Sequence, residues 1–145
     1  MAQHTLFENS RTVFQAGGSF VGATYSGTGA PAYAADYEYH AIKFEGSVGN
    51  TGTLFAYAHN ASNGGGTTLI GSVIFGSSNN PGVIFEVKAD TLSNYGTAYN
   101  YVSGQLKVDA GGTLAGVLSV LSTWPKTAGT TPAANGWGAV GTSLT

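Results

Sequence analysis

The stretch QLKVDAGGTLAGVLSVL (residues 105–121) places two adjacent glycines between two apolar runs. Either Gly111 and Gly112 cradle a ligand, or they form a bend between strands. A phosphate-binding loop needs glycines whose N–H groups point at an anion from the start of a helix. Here the following residues are strand-like, and no Lys-Ser or Lys-Thr pair comes after the glycines. Before the bend the residues alternate. Val102, Leu106 and Val108 take one face, and Ser103, Gln105, Lys107 and Asp109 take the other, which is the period of a half-buried strand. The run from Leu114 to Trp124 is apolar on both faces, as in a covered strand or one at an interface. The stretch therefore reads as a hairpin with one wet and one covered strand.

The same alternation recurs upstream. Ile42 and Phe44 share a face with Glu38 and His40, opposite Tyr37, Tyr39, Ala41 and Lys43. Leu54, Ala56 and Ala58 alternate with Phe55, Tyr57 and His59, and Leu69, Gly71, Val73 and Phe75 with Ile70, Ser72 and Ile74. Val83, Phe85 and Val87 oppose Ile84, Glu86 and Lys88. Turn chemistry separates the runs: GNTG at 49–52, NGGG at 63–66, SSNNPG at 77–82 and AGG at 110–112. Residues 12–14 and 19–25 are weaker strands, and one helical turn is expected at 89–94 with Asp90 as its N-cap. NTGTLFAYA (50–58) and AGGTLAGVL (110–118) echo each other, as two hairpins would without duplication.

Short strands about ten residues apart predict an all-β fold, an antiparallel β-sandwich that is jelly-roll-like or barrel-like. The sandwich is expected over residues 12–124. Residues 1–11 and 125–145 lack periodicity and read as extended arms that order against the same chain or a neighbour. Leu6 and Phe7 anchor the first arm, and Trp137, Val140 and Leu144 the second.

The 145 residues suit one domain. There is no cysteine, which excludes disulfides and thiolate metal sites. Only 8% of residues are charged while 42% are hydrophobic. This weakly charged, hydroxyl-rich surface fits a protein covered by neighbours or packed in an array. With five Lys and Arg and a net charge of −2, no basic patch suggests a nucleic-acid partner. No apolar stretch reaches the length of a membrane span, and MAQHTLFENSRTVF (1–14) has no secretory pattern. The expectation is a soluble protein made in the cytoplasm, without membrane or nucleic-acid partners.

Catalytic patterns are weak. His40 and His59 fall on strands expected to be adjacent, and with Asp36 or Glu38 they could form a metal site or an acid–base dyad. No tight ligand spacing supports this, and no Gly-x-Ser-x-Gly elbow is present. Glu38 and Glu45 fall on opposite faces of one strand, so they do not converge as a glycosidase pair. No catalytic residue, metal or cofactor is expected. The eight tyrosines are more informative. They either flank the core, form a protein interface, or build a sugar platform from Tyr37, Tyr39 and Tyr57.

TLFENSRTVFQAGG (5–18), YEYHAIKFEGSVGNTGTLFAYAHNASNGGGTTLIGSVIF (37–75) and YNYVSGQLKVDAGGTLAGVLSVL (99–121) follow one another as a leading strand, a strand-hairpin-strand unit and a closing hairpin. This order resembles small all-β virion proteins of tailed bacteriophages, of the kind that decorate or cement the capsid. The resemblance implies no catalytic residues. It implies a homo-oligomer, with a trimer favoured, that bridges subunits of the major capsid protein on the virion surface. The contacts expected from the unpatterned ends are Leu6, Phe7 and Arg11 near one end and Trp124, Trp137 and Val140 near the other. A carbohydrate-binding, lectin-like module is the alternative.

Overall fold

A computed structural model describes residues 9–21, 24–26, 31–47, 51–76, 78, 82–109 and 111–125. Among these residues nine strands form two antiparallel sheets. They are β1 (Ser10–Val21), β2 (Thr24–Ser26), β3 (Ala32–Tyr33), β4 (Tyr37–Ser47), β5 (Gly52–His59), β6 (Thr68–Phe75), β7 (Gly82–Lys88), β8 (Tyr101–Val108) and β9 (Thr113–Pro125). One sheet has the order β1-β9-β4-β7 and the other β2-β8-β5-β6, with β3 also pairing to β8. The chain passes repeatedly from sheet to sheet, which is the jelly-roll form of the β-sandwich. The expected all-β sandwich is thus what the chain forms.

The core lies between the sheets, where the alternation places it. Ile42, Phe44, Leu54, Leu106, Leu118 and Val120 are fully buried, joined by Phe20, Phe75 and Leu114. Phe20 meets Phe44 edge-on at 5.9 Å, and Phe44 stacks on Phe75 at 6.1 Å. Such aromatic pairs contribute beyond the area they bury. Gly104 sits at a close approach of the two sheets. A Cβ there would lie 2.7 Å from Ile42 Cγ2 and 3.0 Å from Leu118 Cδ1.

The glycine bend of the opening stretch is not a hairpin. β8 pairs with β5, β2 and β3, whereas β9 pairs with β1 and β4. The bend carries the chain from one sheet to the other. The Gly112 N–H donates to the Asp109 carbonyl at 2.9 Å, and Gly111 has φ +79°. A positive φ at the third turn position suits glycine. β9 does run through the middle of its sheet, but only one of its faces is buried in the core.

The echo between 50–58 and 110–118 has the same explanation. Both stretches follow a passage between sheets, since β4 and β5 also lie in different sheets. The Asp109 N–H donates to the Thr51 carbonyl at 3.1 Å, so the two passages are tied side by side. The true hairpin is β5–β6, closed by the loop containing NGGG.

Three boundaries differ from expectation. Residues 12–14 and 19–21 belong to one strand, β1, interrupted by a bulge at Gln15. The sandwich spans Ser10 to Pro125, so Arg11 and Pro125 lie in strands rather than in arms. The helical turn is a 3-10 helix, Ala89–Tyr95, with Lys88 at the N-cap position and no side-chain cap. Asp90 lies inside its first turn, while the Thr91 hydroxyl donates back to the Lys88 carbonyl at 2.6 Å. Leu6, Phe7, Trp137, Val140 and the C-terminal arm from 126 lie outside the described residues.

Candidate functional site

Two surfaces on opposite sides of the sandwich carry chemistry. The first is the outer face of the β1-β9-β4-β7 sheet. Cross-strand register aligns Phe14, Ser119, Lys43 and Ile84 in one row. The next rows align Thr12, Leu121, Ala41 and Glu86, then Thr123, Tyr39 and Lys88. Phe14, Tyr39, Ile84 and Val117 are all exposed there. Lys43 pairs with Glu45 across the middle of this apolar field.

Trp124 completes the face through an unusual backbone. Along β9 the residues Leu118, Val120 and Ser122 point inward, so alternation alone would send Trp124 inward too. Instead its φ is +63°. For a bulky residue this is an outlier, and such strain clusters at functional positions. The ring is 66% exposed and meets Tyr39 edge-on at 6.4 Å. Tyr39, paired in register with Thr123, belongs to the outer face.

Arg11 is not part of this surface. It pairs with Ser122 in register and is buried. Its guanidinium donates to the Tyr33 carbonyl and lies 5.3 Å over the Tyr37 ring, a cation–π contact. Burial lowers the Arg11 pKa, partly opposed by Tyr37 and Asp36. Burial likewise raises the Tyr37 pKa. Arg11 therefore acts as an internal strut. Tyr37, Tyr39 and Tyr57, expected as a sugar platform, do not share one surface either. Tyr37 is fully buried, Tyr39 faces out from one sheet, and Tyr57 faces out from the other. A parity count along single strands missed this because it does not say which sheet a strand joins.

The histidines do not meet as a dyad, since β4 and β5 are not neighbours in a sheet. His40 lies in the core. Its Nε2–H donates to the Ala34 carbonyl at 3.0 Å, which leaves Nδ1 to accept from the Ser122 hydroxyl at 2.7 Å. His59 lies on the outer side of β5 under the 60–67 loop. Its Nδ1–H donates to the Gly64 carbonyl at 3.0 Å, and Nε2 accepts from the Ser103 hydroxyl at 2.6 Å. Desolvation lowers the His59 pKa, partly offset by the Gly64 hydrogen bond. Among the described residues no group of three or more His, Asp or Glu is placed to hold a metal ion.

The second surface is a cleft of about 380 Å³ beside His59, lined by Tyr57, Asn63, Thr67, Ser103 and Gln105 among others. Strand patterning did not reveal it, because its walls come from β5, β8 and the loop between β5 and β6. The larger hollow beside the 3-10 helix, about 760 Å³, is lined largely by small residues such as Ala34, Ala35, Gly96 and Ala98. No protein-family model and no curated protein matches the chain. Among the described residues no helix is long and apolar enough to cross a membrane. What the fold defines is a jelly-roll β-sandwich with exposed aromatic and aliphatic residues around an ion pair on one outer face and a polar cleft on the other side.

Proposed function

We propose that this chain is a non-enzymatic structural protein of a tailed-phage virion, a capsid decoration protein that bridges neighbouring shell subunits. The carrying observation is the apolar outer face of the β1-β9-β4-β7 sheet, with Phe14, Tyr39, Ile84, Val117 and Trp124 all exposed. Clustered exposed aromatic and aliphatic side chains mark interaction sites, and on this face they surround the Lys43–Glu45 pair. The 8% charge content suits a surface packed against neighbours. Jelly rolls occur in viral capsids and also in lectins, so the fold is an analogy and the face carries the argument. The partner is the major capsid protein, and copies of the chain associate as trimers at the junctions of the shell.

The test is antibody labelling of the source particle in electron micrographs, with mass measurement of the purified protein. Label on the capsid surface and a trimeric mass are expected. Label confined to the tail, or no label on intact particles, would overturn the reading. Removing residues 126–145 should leave a cooperative unfolding transition, because the described core lies between Phe20 and Val120. The same truncation should weaken shell binding, and unchanged affinity would refute a role for the C-terminal arm.

A further inference from the structure

We infer that the cleft on the β2-β8-β5-β6 sheet binds a neutral saccharide unit. This site is separate from the apolar face, which lies on the other sheet. At about 380 Å³ the cleft falls within the size range of small-molecule sites. None of the described residues lining it carries a carboxylate, an ammonium or a guanidinium group. Among these described residues an anion finds no cation and a cation no carboxylate. What the cleft offers is hydroxyls, amides and one aromatic ring.

The polarity of these groups is set by their own hydrogen bonds. The Gly64 carbonyl takes the His59 Nδ1–H, so His59 Nε2 is the acceptor for Ser103. With its proton so engaged, the Ser103 oxygen presents lone pairs. The Tyr57 hydroxyl donates to Gln105 Oε1 at 3.1 Å, and its oxygen likewise remains an acceptor. Asn63 Oδ1 accepts from the Gly65 N–H at 3.0 Å, leaving the Asn63 amide NH2 as a donor. Acceptors and donors of fixed direction around one aromatic ring match the vicinal hydroxyls and apolar C–H face of a pyranose. The burial that lowers the His59 pKa keeps the imidazole neutral in this arrangement.

β2 pairs with β8 at residues 105–107 and β3 at 101–102. The Asn100 carbonyl accepts from the Ala34 N–H at 2.6 Å, on the β3 side of β8. In an antiparallel strand the direction alternates from residue to residue, so the Gly104 N–H and C=O point to that same side. The Gln15 side chain, carried by the β1 bulge, also lines the cleft.

The experiment titrates the isotope-labelled full chain with free glucose, galactose, mannose and N-acetylglucosamine, and screens it on an array of neutral and anionic surface oligosaccharides. Saturable amide shifts confined to residues 57–67 and 103–105 are expected with at least one neutral hexose or neutral array glycan. Shifts with free hexose assign a small sugar. Array binding without them assigns a unit within a polymer. Asn63→Ala and Tyr57→Phe should each weaken binding about tenfold, the effect of one lost hydrogen bond. Asn63 is on an exposed loop, so its variant tests the site without threatening the fold. No saturable binding up to about 10 mM, ten times the millimolar scale of weak ligands, would overturn the inference. So would preference for anionic glycans, or equal affinity in both variants. None of these outcomes touches the apolar face, so failure here is distinguishable from failure of the assembly reading.

Discussion

Trp124→Gly separates the fold from the assembly. Trp124 holds φ +63°, and a side chain in that region costs about 1–3 kcal/mol, which glycine relieves. The substitution also removes the ring pair with Tyr39 at 6.4 Å, a contact of about 0.5–1.5 kcal/mol. With 66% of the residue exposed, roughly a third of its surface is covered, about 70 Å² of a typical aromatic. At about 25 cal/mol/Å² that area contributes about 1.7 kcal/mol. Gain and loss nearly cancel, leaving a net destabilisation of about 1 kcal/mol and a fall in Tm of about 3 °C. Assembly should behave otherwise. An aromatic anchor in an interface costs about 2 kcal/mol or more when truncated, or about 30-fold in Kd. The assay is cosedimentation of the variant with shells of the source particle across a concentration series, with calorimetry alongside. A Kd within about threefold of the parent, well below that hot-spot effect, would refute the claim that Trp124 is a contact. A Tm drop above about 10 °C, several times the estimate from the midpoint scaling, would show it to be a structural strut.

Two further predictions concern the fold. Gly104→Ala forces a methyl between the sheets against Ile42 and Leu118, which should cost about 1–3 kcal/mol by chemical denaturation. Combined with Ile42→Ala, the loss should be smaller than the sum of the single effects, and additivity within about 0.5 kcal/mol would remove the steric account. The second prediction follows from His59. Its folded pKa lies below the ordinary 6.5 because burial disfavours the charged ring. The unfolded chain then binds the proton more readily, so the stability linked to His59 is complete above pH 6.5 and is lost as pH falls through the folded value. Thermal melts at pH 7.5 and pH 5, compared with those of His59→Gln, isolate this contribution. A pH dependence as steep in the variant as in the parent would refute it.

The inward faces of the strands were legible from alternation. Leu54, Ala56 and Ala58 in β5, and Val102, Leu106 and Val108 in β8, are buried as their period implies. The tyrosines were legible only in part. Tyr57 and Tyr39 do face outward, but Tyr37, at the start of β4, is buried beneath Arg11. Its partner is 26 positions away, and no local pattern signals a contact of that kind. The cleft was hidden for a related reason. Its walls are two strands, a loop and the bulged Gln15, brought together only by the sandwich.

By itself the sequence determined the period of the central strands β5 and β8, the side each buries, and most of the places where the chain must turn. These depend on side-chain alternation and on residues that accept a positive φ, which are properties of short segments. Only the tertiary structure decided which strands are neighbours. Gly111 and Gly112 allow a hairpin or a passage between sheets with equal ease. The choice fell to burial across the whole sandwich, where Leu106 and Val108 on one sheet and Leu114 and Leu118 on the other all enter a single core. That partition put the apolar face and the polar cleft on opposite sides of the molecule.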